Sequence, residues 1–171
     1  MPDDPGKEKL ALPEVLARLD RTFKDIKAEM KRLKLDRGKA SYRRPLDLLE
    51  EGYLAIRYPA SAQGGASAAL LTLRGCIDRS IEELARRCPA QKQAQNRRER
   101  ILALGLHCGR SGLTVKHFDS LAADDEFVNS ELSGEGNAAG AEQRDLVRRF
   151  LRGAQLLQAL LASIDEALLH P

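Results

Sequence analysis

Aromatic side chains are scarce in this chain of 171 residues: they make up 4% of it, and tryptophan is absent. A folded core therefore has to be built from aliphatic side chains, which bring the apolar share to 43%. Leu, Ala, Ile and Val suit the close packing of one helix on another. A run of about 20 apolar residues is missing too, so no segment is expected to span a membrane.

The sequence also lacks the motifs of common enzyme and metal sites. It contains no Cys-x-x-Cys and no His-Glu-x-x-His, so neither a metal ion nor another cofactor is expected. The P-loop pattern and the Gly-x-Ser-x-Gly element of hydrolases are absent as well.

Cysteine occurs only three times, at positions 76, 88 and 108. Three thiols cannot all pair within one chain, and each lies on or beside an apolar helical pattern, so buried, reduced cysteines are expected. Residues 1–9 are polar and lack the apolar stretch of a signal peptide. The expected compartment is therefore the cytoplasm.

Two stripes of apolar residues, one near each end of the chain, follow the spacing of threes and fours that amphipathic helices show. The first consists of Val15, Leu19, Thr22, Ile26 and Leu33, with Phe23 and Met30 beside it, and the second of Leu146, Phe150, Gly153, Leu157, Leu160 and Ile164. The pattern predicts an all-α fold. We expect a single bundle of about five or six helices over residues 13–169, with long first and last helices and a disordered stretch at 1–12.

Helices are predicted over residues 13–35, 45–57, 66–88, 90–108, 114–132 and 141–169, with a loop at 133–140. Pro13 suits the first position of a helix, and Gly38 and Gly109 are expected to stop the first and the fourth. Gly75 lies inside the third helix, where glycine costs about 1 kcal/mol relative to alanine. Its presence predicts a close backbone neighbour and a central place for that helix.

Charge is unevenly distributed, although the net charge is only +3. Residues 18–44 are rich in Lys and Arg, whereas residues 119–142 contain acids and neither Lys nor Arg. A stripe of basic residues on the first helix is a candidate nucleic-acid site: Arg18, Arg21, Lys24, Lys27, Lys31 and Lys34. Binding there would be electrostatic and sensitive to salt. The alternative is a solvated helix face, or a surface that meets the acidic segment of another copy.

One pair of residues has the spacing of a catalytic site. Arg100 and His107 are seven positions apart and therefore share one face of a helix. Arg can hold a phosphate, and His can act as general acid or base on a ribose 2′-hydroxyl, which is the minimum for a metal-independent ribonuclease. The alternative is a surface arginine in a cluster with Arg97 and Arg98, and a histidine that is favoured near the end of a helix.

The segment ALLTLRGCIDRSIEEL, from Ala69 to Leu84, resembles the central helix of HEPN-type domains. These are prokaryotic helical bundles common in toxin, CRISPR-linked and antiphage systems. The hallmark of the family is an Arg, four to six residues and then a His, and Arg100 and His107 fit that spacing. The resemblance covers about residues 66–169 and implies a dimer with the Arg and the His at the subunit interface.

The chain departs from the family in two places. Some relatives carry Leu-Ser and a nearby His-Gly before the last helix. Here Leu132, Ser133 and residues 137–140 would occupy that place, and none of them is a His. The residue after the hallmark Arg, often polar in the family, is Ile101. These departures fit a degenerate, non-catalytic member as well as an active ribonuclease.

Two functions follow from these observations. The first is a non-enzymatic accessory or adaptor module that binds a protein partner or a second copy of itself within a larger complex. The alternative is a HEPN-like ribonuclease or RNA-binding protein of a defence system.

Overall fold

In a computed structural model, which describes residues 10–38, 43–61, 65–89, 96–133 and 142–171, the chain forms six α-helices and no strand within those ranges. They are α1 (Leu12–Arg32), α2 (Pro45–Arg57), α3 (Gly65–Arg87), α4 (Arg97–Cys108), α5 (Val115–Ser133) and α6 (Gln143–Ala162). Short 3₁₀ turns occupy Pro59–Ser61 and Glu166–Leu168. The predicted all-α bundle of five or six helices is confirmed.

Several expectations fall outside the described residues. They are the disorder at 1–9, residues 90–95 of the fourth predicted helix, and the loop at 134–140. The prediction of one unbroken helix from residue 90 to 108 is wrong, because Asn96 is extended and caps a helix that begins at Arg97 by accepting from the amide of Glu99. The start of α1 is described: it begins at Leu12, and Leu10 already packs against the core. The ordered part of the chain therefore begins before the predicted boundary at residue 13.

The end of α1 differs from the prediction. The helix stops at Arg32 and not at residue 35, because Lys34 adopts the left-handed conformation with φ of 57°. The amide of Leu35 then donates to the carbonyl of Met30 at 2.8 Å, and that of Lys34 to Lys31 at 3.2 Å. This is a Schellman ending, with the side chain of Leu35 buried behind it. Gly38 was expected to be the stop, and that expectation is wrong.

The last helix is shorter than predicted. It ends at Ala162 and not at residue 169, because Ile164 leaves the helix to form an antiparallel bridge with Gly109. Two backbone hydrogen bonds hold this crossing. The amide of Arg110 donates to the carbonyl of Ser163 at 2.9 Å, and the amide of Asp165 donates to the carbonyl of Cys108 at 2.8 Å.

The two apolar stripes are buried, and α1 packs along α6. Polar contacts show that these helices run parallel. Arg148 donates to the carbonyl of Leu10 near their starts, and Arg32 donates to that of Leu161 near their ends. The first helix therefore buries its stripe within its own bundle.

Helix α3 is central, as predicted, with α2, α4, α5 and α6 packed around it. The close backbone neighbour that was predicted at Gly75 is not there, however, because a Cβ added at Gly75 would meet nothing within 4 Å. The close approach lies on α6 instead, where a Cβ on Gly153 would come within 2.8 Å of Leu73 and 3.1 Å of Leu132.

Four of the helices point the same way. Helix α4 runs parallel to α3, because Arg97 pairs with Asp78 at one end and Cys108 contacts Cys88 at the other. The end of α3 also lies beside the end of α1 and the end of the chain, since Arg87 donates to the carbonyls of Leu33 and His170. The carbonyl ends of α1, α3, α4 and α6 thus share one end of the bundle, whereas α2 and α5 run the opposite way.

Two arginines satisfy backbone carbonyls at this end. Arg32 donates to Ile164 at 2.9 Å and to Leu161 at 2.8 Å, and so caps α6. The buried Arg87 donates to the carbonyl of Leu33, just past α1, at 2.5 Å and to that of His170 at 3.0 Å. Cations at helix C-termini offset the negative end of the helix dipole and satisfy carbonyls that have no partner within the helix.

We expect Arg87→Met to lower the free energy of unfolding by about 2 kcal/mol, because it leaves the carbonyls of Leu33 and His170 without their donor and the bond to Leu33 is buried. Arg86→Met is the matched control, since Arg86 is exposed and its one ion pair within the described residues is with Glu83. Its effect should stay within about 0.5 kcal/mol. Urea unfolding followed by circular dichroism measures both, and equal stability of the two variants would contradict the role given to Arg87.

Candidate functional site

The predicted catalytic pair lies on α4, as expected, but its members differ in burial. Arg100 is half-buried and His107 is exposed, in the last turn of the helix. Seven residues of helix separate their Cα atoms by about 10.5 Å along the axis. The two side chains share one flank of α4, on the side away from α5.

An apolar surface lies beside this flank. Successive residues of an α-helix are rotated by about 100° around its axis. Around the exposed side of α4, starting next to α5, the order is therefore Leu102, Leu106 and Ala103, followed by His107 and Arg100. Leu106 is 72% exposed. The predicted pair therefore borders an apolar stretch of the same helix.

The apolar surface continues across the loop into α5. Leu113 is 39% exposed and Val115 is 70% exposed, and together with Leu106 they surround a groove of about 440 Å³. We call these three residues the apolar patch. Phe118 lies at the bottom of the groove against Gly105, where an added Cβ would overlap its ring. Of the residues described as lining the groove, Glu99 alone carries a charge.

Ion pairs also fix α5 against α4, at the start of α4. Arg97 makes two bonds to the buried carboxylate of Asp125, at 2.7 and 2.8 Å, and also pairs with Asp78 of α3. On the surface, Arg98 pairs with Asp119 at 2.6 Å. A two-pronged contact between guanidinium and carboxylate sets the geometry of both helices, so the groove has a rigid frame.

The predicted basic stripe does not converge on one site. Arg21, Lys24 and Lys31 lie on the outward face of α1, and Arg18 is exposed at its edge. Lys27 turns towards α2, where it lies 3.3 Å from a carboxylate oxygen of Glu50 and 5.3 Å from the ring centroid of Phe23. Lys34 lies past the end of the helix in a separate cleft.

That cleft is a feature that sequence analysis missed. It has a volume of about 370 Å³ and lies between the end of α1, the start of α2 and the second half of α3. We call it the basic cleft, and its charged residues are Lys34, Arg37, Arg43, Arg44, Arg79, Arg86 and Glu83. The signal in the sequence was the run of basic residues between the first two helices, but its convergence with α3 could not be read from the chain.

The three cysteines are buried and form no disulfide, in agreement with the expectation. Two of them meet where α3 and α4 end: the Sγ atoms of Cys108 and Cys88 are 3.2 Å apart. Burial raises the pKa of the Cys76 thiol to about 12. Burial and the hydrogen bond to Cys88 raise the pKa of Cys108 to about 12. Both thiols are therefore neutral and poor nucleophiles near pH 7.

The described ranges contain neither a metal-binding cluster nor a membrane-spanning helix. No cluster of three His, Cys, Asp or Glu side chains in them has the arrangement that could hold a metal ion. No helix in them combines the length and the apolar character that crossing a membrane requires.

Comparison of the chain with protein-family models, with curated proteins and with solved structures returned no match.

The buried thiols predict how stability depends on pH. Their folded pKa values lie above the ~8.5 of an unfolded thiol, so their contribution is complete below about pH 8.5 and is lost as pH rises towards 12. Each should lower the free energy of unfolding by about 1.4 kcal/mol per pH unit in that range.

Urea unfolding between pH 8 and 11 measures this slope. Cys76→Ala should be less stable at pH 7 but should show a slope that is smaller by about 1.4 kcal/mol per unit. A slope identical to that of the wild type would mean that Cys76 ionises in the folded protein.

Proposed function

We propose that this protein is a non-enzymatic helical interaction module that pairs with a second copy of itself through the apolar patch on α4 and α5. The observation that supports the proposal is the exposure of Leu106, Leu113 and Val115 around one groove. Single apolar residues on a surface are ordinary, but a group of them around a concave surface is typical of an interaction site.

Burial of the patch would favour association. Burial of a Leu or Val side chain that was exposed contributes about 1.5–3 kcal/mol. A two-fold symmetric contact buries the same residues twice, because each copy presents the same surface. The groove is also held by the Arg97–Asp125 pair, so little ordering is needed when a partner binds.

The charges around the patch favour a second copy as the occupant. A symmetric contact brings like groups together, so any excess charge near its centre would cause repulsion. Asp119, which follows Val115 by one turn of α5, pairs with Arg98. Glu99 is the one charged residue among those described as lining the groove. The three residues of the patch carry no charge, so they can meet their own copies at the centre of a symmetric contact.

The wild type should be a dimer at tens of micromolar by light scattering after size exclusion. Leu106→Glu should weaken dimerisation at least tenfold, because it would desolvate a carboxylate in the interface. Leu71→Glu is the matched control, since Leu71 is 55% exposed but lies on α3, outside the patch. A monomeric wild type at 100 µM, or equal effects of the two variants, would contradict the proposal.

The alternative function, a HEPN-like ribonuclease, is supported by one feature of α4. Arg100 and His107 share the flank that borders the patch, so a contact between copies at the patch would bring both pairs close to the interface. This is the arrangement that the resemblance implies.

The two functions predict different results with RNA. An interaction module should not cleave labelled single-stranded RNA in the presence of a metal chelator. Cleavage that is abolished by His107→Ala but retained by His170→Ala would establish the ribonuclease and refute the non-enzymatic proposal. His170 serves as the control because it is exposed and lies at the end of the chain.

A further inference from the structure

We propose that the basic cleft binds a small ligand with two or more linked phosphate groups, such as the polyphosphate part of a nucleotide. This site is distinct from the apolar patch and does not depend on the function proposed above. Its six cations come from three separate parts of the fold: the end of α1 with the residues after it, the start of α2, and α3.

The cations of the cleft are only partly neutralised. Four of the six are paired: Arg44 lies 2.9 Å from Asp47, Arg86 lies 2.8 Å from Glu83, Arg79 lies 3.8 Å from Glu82, and Arg43 pairs with Glu51. For Lys34 and Arg37, by contrast, the described part of the chain supplies no ion pair within 4.0 Å. Both are exposed, and both line the cleft. An unneutralised concentration of positive charge in a concave site raises the local concentration of anions.

The dipoles of the helices do not account for this charge. A helix end carries about half a unit charge, so the four carbonyl ends amount to about two negative charges, and the starts of α2 and α5 offset part of that. Arg32 and Arg87 already bond to the carbonyls at the ends of α6 and α1. The remaining cations of the basic cleft therefore exceed what the dipoles require.

The start of α2 also carries charge of the unfavourable sign. Arg43 and Arg44 precede Pro45, the first residue of the helix. The start of a helix is its positive end, where acidic groups are preferred and cations are disfavoured. Asp47 compensates for Arg44 through bonds to its guanidinium and backbone amide. A bound phosphate would be stabilised both by these side chains and by the helix dipole.

Lys34 supplies independent evidence of a cost that folding alone does not explain. It occupies the left-handed position of the Schellman ending with φ of 57°, a place where glycine is usual because other residues are strained there. Glycine would satisfy the turn better but would remove a cation from the cleft. Residues held in unfavourable backbone conformations occur preferentially at functional sites.

The size and lining of the cleft favour a small ligand over a nucleic-acid strand. A volume of about 370 Å³ lies within the range of sites for small molecules. Leu35 and Pro45 add apolar surface on which a base or another flat group can rest. A strand would need cations that follow its backbone over several nucleotides, and such an array lies elsewhere, on the outward face of α1.

Isothermal titration calorimetry of the full chain with inorganic pyrophosphate, tripolyphosphate and ATP tests the proposal. At about 100 mM salt we expect micromolar binding of at least one of them. The double variant Lys34→Gln with Arg37→Gln should bind at least tenfold more weakly. The matched control is Arg21→Gln with Lys24→Gln, which removes the same charge from the outward face of α1 and should change affinity less than twofold.

Lys34→Gly separates binding from folding. It should melt no lower than the wild type, because it relieves the strained backbone, and yet bind at least threefold more weakly. The proposal is overturned if no probe binds below 1 mM, or if both double variants weaken binding equally. It is also overturned if a single-stranded RNA oligonucleotide binds more tightly than every small probe and loses affinity mainly in the Arg21 and Lys24 variant.

Discussion

The parallel alignment of α1, α3, α4 and α6 is the constraint on which the rest of this structure depends. It allows the long apolar stripes of α1 and α6 to pack side by side, but it also gathers four carbonyl ends in one place. Aligned dipoles repel one another, and carbonyls at helix ends have no partner of their own. Arg32 and Arg87 resolve both problems, since each bonds to carbonyls of segments far away in sequence.

The same constraint accounts for part of the positive charge at this end of the molecule, although the basic cleft holds more cations than the helix dipoles require. The carbonyl ends of the four helices stabilise cations placed there, so more cations can lie close together than on a surface without aligned helix ends. Because α2 runs the opposite way, its positive end lies among them and opposes the effect. The basic cleft is where these two influences meet, and the cations left over after the carbonyls are satisfied are the ones available to a ligand.

The sequence was sufficient to predict the parts of the fold that depend on repetition. Apolar spacing gave the helices and the buried stripes, because a helix face recurs at a fixed interval. The prediction of helix ends from this spacing failed where a single local or tertiary feature decides where the helix stops. Ile164 leaves α6 to pair with Gly109, and Lys34 ends α1 in place of a glycine. The apolar patch was missed for the same reason. Leu106 and Val115 read as ordinary apolar positions, and only the packing of α5 on α4 places them around one groove.

The two surfaces of interest belong to different parts of the bundle. The apolar patch lies on α4 and α5, whereas the basic cleft is formed by α1, α2 and α3. Helix α3 is the element through which they are connected, since Asp78 pairs with Arg97 at the start of α4 and Arg79 lines the cleft one residue later. Closely packed helices move as rigid bodies. Coupling between two sites, however, requires an element that can switch between two conformations. A rigid α3 would leave the two surfaces independent. Independence of the two surfaces is compatible with both proposals, a partner copy held on one side and an anionic ligand on the other.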